Sequence, residues 1–182
     1  INEGECKVMS LRSFGKTIYE KEIKKMFDIN NFTINMDYFE FHKSPSKSFS
    51  KKLCEVFGEP YLNINEEANF NKYADIASST QLILEHTMKN LIQKAMDLSG
   101  KRKIVLTGGI ALNCKMVHSL SKQNIFEELI VPPSPGDSGS AIGAANFAFS
   151  GKYLGIHFGP EKMDWIEVAC KYVGCKYCAK YV

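Results

Sequence analysis

The sequence predicts an α/β fold, and three observations carry that prediction. The short apolar runs Ile104-Val105-Leu106 and Leu129-Ile130-Val131 each meet a glycine-rich loop, and each loop leads into a helix. Neither run alternates strictly between apolar and polar residues, as expected of interior strands covered on both faces. Ahead of them, residues 71–98 repeat Ile76, Thr80, Ile83, Leu84, Met88, Leu91, Ile92, Ala95 and Leu98 at helical spacing. Such a stripe suits a helix lying on a sheet, with Gly100 as its stop.

The earlier elements follow in order. Residues 4–11 read as a helix ended by Gly15, and residues 19–27 as a second, with Ile23, Met26 and Phe27 on one face and Asn30-Asn31 closing it. Phe32-Thr33-Ile34-Asn35-Met36 alternates as a half-buried strand does, and Tyr38 to Phe41 extends it. A polar loop around Pro45 precedes a short helix over residues 50–57, which Gly58 and Pro60 end. Residues 59–70 read as irregular. After the two strand–loop–helix units, residues 152–160 are Gly-rich and contain His157, residues 164–173 read as a helix, and residues 175–182 as a last strand.

Composition narrows the function classes. With 182 residues, 45% hydrophobic and 24% charged, the chain has the make-up of an ordinary globular protein. A net charge of +3 is too small to argue for nucleic acid, and the densest lysine run, Lys21 to Lys25, alternates with Glu20 and Glu22 as a solvated helix face does. No apolar run reaches the ~18–20 residues a membrane span needs. The first residue is Ile1, which reads as a fragment or a processed product. Of the six cysteines, Cys170, Cys175 and Cys178 form a C-x4-C-x2-C cluster with no fourth iron–sulfur ligand. All six are expected to be incidental thiols of a reducing cytoplasm. His86 and Met88 read as a packed or partly exposed histidine and a core methionine.

The two loops carry the chemistry. Gly108-Gly109 follows the first strand and Gly136-Asp137-Ser138-Gly139 the second, each where a helix begins. Backbone N–H groups and the positive end of the helix dipole gather there, which suits phosphate or carboxylate groups. Glycines 136, 139 and 143 each cost a helix start about 1 kcal/mol against alanine, so backbone is expected to approach a ligand or another helix closely. Asn113, in the first turn of the next helix, is placed for its amide to reach a base or ribose. Asp137 has two uses: capping the helix, or offering a hard oxygen donor to a phosphate-associated cation. The tetrapeptide Gly136-Asp137-Ser138-Gly139 also occurs around the nucleophile of chymotrypsin-like proteases, but those need many short strands and an upstream His and Asp. Here a small-residue helix follows, and the protease reading falls.

Taken together, Val105-Leu106-Thr107-Gly108-Gly109-Ile110-Ala111-Leu112-Asn113-Cys114 and the run from Pro132 through Gly136-Asp137-Ser138-Gly139 to Ala145 resemble the carbamoyltransferase family, which includes nodulation-factor, tobramycin and cephem O-carbamoyltransferases. Glu5-Cys6-Lys7-Val8-Met9-Ser10-Leu11, the stretch from Phe32 to His42 with Met36-Asp37-Tyr38-Phe39, and residues 155–161 resemble it as well. The resemblance implies an actin-like ATPase-superfamily (ribonuclease H-like) half-domain with a central sheet and flanking helices. It implies residues 1–150 as the second half of a carbamoyl-transfer domain, and 151–182 as the junction to a carbamoyladenylate-forming domain beyond Val182. The implied reaction makes carbamoyladenylate from ATP and carbamoyl phosphate, then transfers the carbamoyl group to a hydroxyl on a small-molecule or glycan acceptor, with Fe(2+) or a similar divalent metal near the intermediate. Nucleic acid and membrane are not implied partners.

Carried over by position, Asp137 is the implied metal ligand. Gly108, Gly109 and Asn113 form the adenosine-contacting loop, Gly136 and Gly139 the second loop, and Lys7 with Glu5 lies near the ribose and phosphate. No catalytic residue is assigned. Ser10 and Arg12 depart from the family's usual Gly and Ala, and Ser140 from a common Gly; Arg12 is expected to disturb packing or reach into the pocket. The family's metal-binding histidine pair lies upstream of residue 1, and His42, His86, His118 and His157 do not reproduce its i, i+4 spacing. The polypeptide alone is therefore expected to hold half a site and not to complete the reaction. Two alternatives stay open: a tRNA threonylcarbamoylation-type or sugar-kinase-type nucleotide-binding domain, against which the stretch from Met36 to His42 argues, and a truncated non-catalytic remnant.

Overall fold

A computed structural model describes residues 4–60 and 67–148. The chain is α/β and falls into two compact units, one drawn from residues 1–102 and 113–125, the other from 103–112 and 126–182. The readings made for residues 152–182, including His157 and the three-cysteine cluster, lie outside the described residues. Among the described residues, no helix is long and apolar enough to cross a membrane.

The first unit is assembled on one long helix. In chain order it contains α1 (Glu5–Leu11) with a 3-10 extension (Arg12–Phe14), α2 (Glu20–Lys24), β1 (Phe27–Asp28), β2 (Thr33–Ile34), a 3-10 turn (Met36–Tyr38), α3 (Lys51–Phe57) and α4 (Glu67–Ser99). Helix α5 (Cys114–Ser121) returns to it, with Met116 and Leu120 fully buried. Helix α4 packs against α1 and its extension, α2 and α5. It therefore buries more than one stripe: Ala74, Ala77, Ser79, Gln81, Ile83, Met88, Ile92 and Met96. Thr80, Leu91, Ala95 and Leu98, expected on the inner face, are exposed. Helical periodicity located the helix, but neighbours on several sides decide which residues are covered.

The small residues of α4 have a specific cause. The connection after α1 runs so close to α4 that a Cβ on Gly15 would overlap the Ala74 carbonyl. Two hydrogen bonds hold it there: Lys16 N–H donates to Asp75 Oδ1 (2.6 Å) and Tyr19 N–H to Ser79 Oγ (3.1 Å). The Ser79 hydroxyl in turn donates to the Asp75 carbonyl (2.7 Å), so this fully buried group is satisfied.

The second helix is shorter than expected, and the polar residues after it explain why. Asp28 Oδ1 accepts from the N–H groups of Asn30 (2.9 Å) and Asn31 (3.0 Å), and its Oδ2 accepts from Asn31 Nδ2 (2.8 Å). This local turn competes with helix, so Asn30-Asn31 form the tip of a hairpin rather than a helix end. The hairpin pairs Phe27 with Ile34 and Asp28 with Thr33, antiparallel. The expected strand over residues 32–36 shrinks to Thr33–Ile34, because Asn35 accepts a hydrogen bond from Asp37 N–H (3.1 Å) and starts a 3-10 turn. The Asn31 backbone N–H, followed by the Asn31 side chain, holds the Asp28 carboxyl below its ordinary value of 3.8. A depressed carboxylate stabilises the fold in full above that value and loses this contribution as pH falls through its folded pKa. The Asn30 and Asn31 amide signals are expected to shift together in an NMR titration below about pH 4.

Helix α3 conforms to expectation. Ser50 caps it, accepting from Leu53 N–H (3.4 Å) while donating to the Asp37 carbonyl (2.7 Å), and Gly58 ends it at φ 76°. Ser50→Ala is expected to cost about 1–2 kcal/mol in a urea melt, since the cap and the bond to the Asp37 carbonyl are lost together.

The second unit contains β3 (Lys103–Val105), a 3-10 turn (Gly109–Leu112), β4 (Glu128–Ile130) and α6 (Gly139–Ala148). Strands β3 and β4 are parallel, with Lys103, Ile104 and Val105 opposite Glu128, Leu129 and Ile130. The described residues thus hold two separate two-stranded sheets rather than one central sheet. Nor are β3 and β4 covered on both faces. Val105 is 63% and Ile130 41% exposed while Ile104 and Leu129 are partly covered, so burial alternates along each strand.

Candidate functional site

The two glycine loops lie side by side at the ends of β3 and β4. The parallel ladder continues one residue further through Leu106 N–H to the Ile130 carbonyl (2.9 Å). Beyond it, Gly108 N–H donates to the Pro135 carbonyl (2.6 Å), which ties one loop to the other. Gly108 has φ 91°, a conformation that side-chain-bearing residues rarely adopt. A Cβ on Gly136 would stand 3.4 Å from Leu112 Cδ1 and 3.9 Å from Gly109 Cα, ordinary contact distances. Gly108, Gly109, Gly136, Gly139 and Asp137 are therefore brought together in this unit.

The loop glycines differ in their reasons. A Cβ on Gly139 would overlap the Ser134 carbonyl, so the loop's own backbone demands glycine there. Gly109 and Gly143 have open space where a Cβ would be. At Gly143, therefore, no close approach by described atoms explains the glycine. The first N–H groups of α6 are also engaged: Gly139 donates to Gly136 (2.9 Å), Ser140 to Asp137 (3.0 Å) and Ala141 to Ser138 (3.3 Å). The helix end still presents its positive dipole, but those three donors are satisfied within the loop.

Asp137 is exposed at the tip of the second loop. Its carbonyl closes the turn to Ser140, while its carboxylate has no hydrogen-bond or ion-pair partner among the described residues. It does not cap α6, and both oxygens are available to a hard cation. Among the described residues no cluster of three or more His, Cys, Asp or Glu side chains stands ready for a metal. Asp137 fits a divalent cation as one oxygen donor.

The remaining candidates belong to the first unit. Glu5, Val8 and Met9 lie on one face of α1, and with Gly4 they wall a cavity of about 550 Å³ completed by Ala77, Thr80, Gln81 and Leu84 of α4 and by Asn113. Glu5 and Asn113 are thus brought to one cavity. Lys7 is exposed on α1 and does not line it.

Asn113 sits one position before α5 rather than in its first turn. Its Oδ1 accepts from Met116 N–H (3.0 Å), the side-chain cap that asparagine favours. The same oxygen accepts from Gln81 Nε2 (3.2 Å), and Asn113 Nδ2 donates to Gln81 Oε1 (2.9 Å). The amide expected to reach a base or ribose is engaged within the protein.

Residues 1–146 match the family model described as the carbamoyltransferase N-terminus. The chain belongs to the carbamoyltransferase family. An uncharacterized protein of Synechocystis is 29% identical over 184 residues, covering 90% of this chain and 30% of its own length. Nodulation protein NolNO of Sinorhizobium fredii is 31% identical, with 78% of this chain and 19% of its own length covered. Nodulation protein U of Rhizobium tropici is 32% identical, covering 61% and 18%. The chain spans less than a third of the length of these relatives.

Every candidate site residue of this carbamoyltransferase chain, from Glu5 to Gly139, falls inside the matched region. Sequence reasoning missed Gln81 and Glu85. Gln81 is buried and donates to Glu85 Oε1 (2.9 Å), which also stands 3.8 Å from Arg12 Nη1. Arg12, the departure from the family's usual alanine, is thus drawn toward Glu85 on α4, and α1, α4 and α5 share one polar chain. One signal was present: Gln81 lies on the same helical face as Ala77, Leu84 and Met88, where a polar residue needs a partner. Gln81→Leu strands the Asn113 amide and is expected to cost about 2 kcal/mol in a denaturant melt. Gln81→Glu retains an acceptor for Asn113 Nδ2 but faces Glu85 and Asn113 Oδ1 with a negative charge, so it is expected to be no better tolerated.

Proposed function

We propose that this chain is part of an O-carbamoyltransferase that moves a carbamoyl group from carbamoyladenylate to an acceptor hydroxyl. The observation that carries the proposal is the juxtaposition of the two glycine loops with the unpartnered carboxylate of Asp137, in a region matched to the carbamoyltransferase N-terminus. In this reading the parallel pair β3–β4 belongs to an actin-like ATPase-superfamily half-domain, whose strand ends present nucleotide-binding loops.

The chain's own contributions follow from its atoms. Gly108 permits the left-handed turn that brings the first loop to the second, and the open space at Gly109 lets an adenylate phosphate approach the backbone. The positive end of α6 favours that phosphate's negative charge. Asp137 would contribute one carboxylate donor to a divalent metal, Fe(2+) or a similar ion. When bound, such a metal supplies Lewis acidity that polarises the carbamoyl carbonyl and offsets charge on the adenylate. In the cavity of the first unit, Val8, Met9 and Leu84 offer apolar wall and Glu5 a carboxylate, a lining suited to a planar group with a polar edge.

Atoms balance in three steps. Water cleaves carbamoyl phosphate to carbamate and phosphate, and a carbamate oxygen then attacks the α-phosphorus of ATP, giving carbamoyladenylate with release of pyrophosphate. The acceptor oxygen then attacks the carbamoyl carbon, AMP leaves, and the hydroxyl proton is lost to solvent or base. The test uses the full-length, metal-loaded protein with ATP, carbon-labelled carbamoyl phosphate and a panel of hydroxyl-bearing sugars and glycans. A labelled carbamate ester formed with stoichiometric AMP is the expected result. Accumulation of carbamoyladenylate with no ester from any acceptor would overturn the proposal.

A further inference from the structure

A second concave site lies in the first unit, on the face of α4 opposite the Glu5–Asn113 cavity. At about 3.6 residues per turn, His86, Lys89 and Asn90 point away from Ala77, Gln81 and Leu84. The β1–β2 hairpin and the end of α2 form the other walls of an open groove of about 700 Å³. The hairpin tip is fastened across to α4: Lys94 Nζ sits 5.3 Å from the centre of the Phe32 ring, and Asn90 Nδ2 reaches Asn30 Oδ1 at 3.5 Å. The groove therefore exists before any ligand arrives.

Its spare hydrogen-bonding capacity is that of donors. Lys25 and Lys89 line it, and neither has an ion-pair partner among the described residues. Lys24 is neutralised by Glu20 (2.5 Å). Asp28 is the carboxylate among the lining residues, but both its oxygens are already occupied by Asn30 and Asn31. Asn35 spends its Oδ1 on Asp37 N–H, so its Nδ2 group is what remains to offer. Lys25 and Lys89, neither of them ion-paired among the described residues, thus line one concavity with Asn35 and His86, and Phe27 and Ile34 form its apolar wall. The lysine run of residues 21–25 reads as a solvated face in the sequence, but its last member lines the same groove as Lys89, which is far away in sequence.

We propose that this groove binds a small phosphate-bearing ligand, such as a phosphorylated sugar or polyol. With Lys24 paired to Glu20, Lys25 and Lys89 outweigh the single Asp28 carboxylate, so the lining is net positive and favours an anion over a cation or a neutral ligand. A phosphate oxygen cluster accepts from Lys25, Lys89 and Asn35 together, and the volume beyond it takes a group of sugar size. This site is separate from Asp137 and the glycine loops, and its existence does not depend on the carbamoyl-transfer reading.

The test is a titration of the nitrogen-labelled chain with inorganic pyrophosphate, followed by amide and side-chain NMR shifts. Saturable shifts confined to residues 24–35 and 86–90 are expected. Lys25→Gln and Lys89→Gln are each expected to weaken binding about tenfold, the effect of one charge-assisted hydrogen bond, while exposed Lys51→Gln leaves it unchanged. Asn90→Asp, which places a carboxylate on the groove wall, gives an independent variant with the same expected loss. No saturable shift up to 10⁻² M probe, a threshold of roughly millimolar-or-weaker affinity, would overturn the proposal, as would equal binding by the Lys25→Gln, Lys89→Gln double variant with an otherwise unchanged spectrum.

Discussion

Gly15→Ala is expected to be the most destabilising single methyl addition in the first unit, at about 3 kcal/mol or more, because backbone rather than a flexible side chain stands in the way. A Cβ there overlaps the Ala74 carbonyl and meets Asp75 N at 2.5 Å, so the connection must lift off α4. Lifting it breaks the bonds from Lys16 to Asp75 and from Tyr19 to Ser79, and leaves the fully buried Ser79 hydroxyl without its outside partner. Against a typical domain stability of about 5–15 kcal/mol, such a loss is a large fraction of the total. A urea melt followed by circular dichroism measures it. Ser79→Ala, which removes the hydroxyl but leaves the approach intact, is expected to cost only about 1–2 kcal/mol. If the two variants melt together, the close approach of Gly15 to α4 is not what limits this position.

Asp137→Asn is expected to do the opposite: leave stability within about 0.5 kcal/mol, as for an exposed side chain with no partner, and lower carbamoyl transfer in the full-length protein by about 10²–10³-fold, the scale of losing one preorganised electrostatic group at the reacting centre. The amide keeps the shape of the carboxylate but not its charge, so a metal loses a hard anionic donor. Metal content per protein, measured alongside the rate, separates a ligand from a bystander. A variant that keeps both metal and rate removes Asp137 from the site.

The fold was legible where one residue's chemistry decides the outcome. Gly58 and Gly100 end helices at positive φ, Ser50 caps α3, and Gly108 turns the chain after β3, each as its type requires. It was less legible where neighbours decide. The buried residues of α4 depend on α1, α2 and α5 packing around it, so Ala74, Ser79 and Gln81 are covered while Leu91 and Leu98 are not. The hairpin was hidden because Lys24, Lys25 and Phe27 continue a helical pattern, until the carboxylate of Asp28 captures the N–H groups of Asn30 and Asn31.

The candidate site divides along the same line. The glycine loops could be read from sequence because strand, glycine and helix start succeed one another within a few residues. That Gly139 answers to the Ser134 carbonyl, and that the Asn113 amide is held by Gln81, depends on atoms that only folding brings together. The Asp137 carboxylate, offered two uses by sequence, makes no cap bond in the folded chain. Its exposure leaves the other use available.

In the proposed reading the paired glycine loops at the ends of β3 and β4 face the nucleotide. Photolabelling of the full-length protein with 8-azido-ATP, followed by peptide mapping, tests it most directly. Label is expected in peptides spanning residues 106–113 or 134–140, suppressed by excess ATP and reduced when Gly139→Ala distorts the second loop. ATP-protected label found only in peptides outside both loops would contradict it.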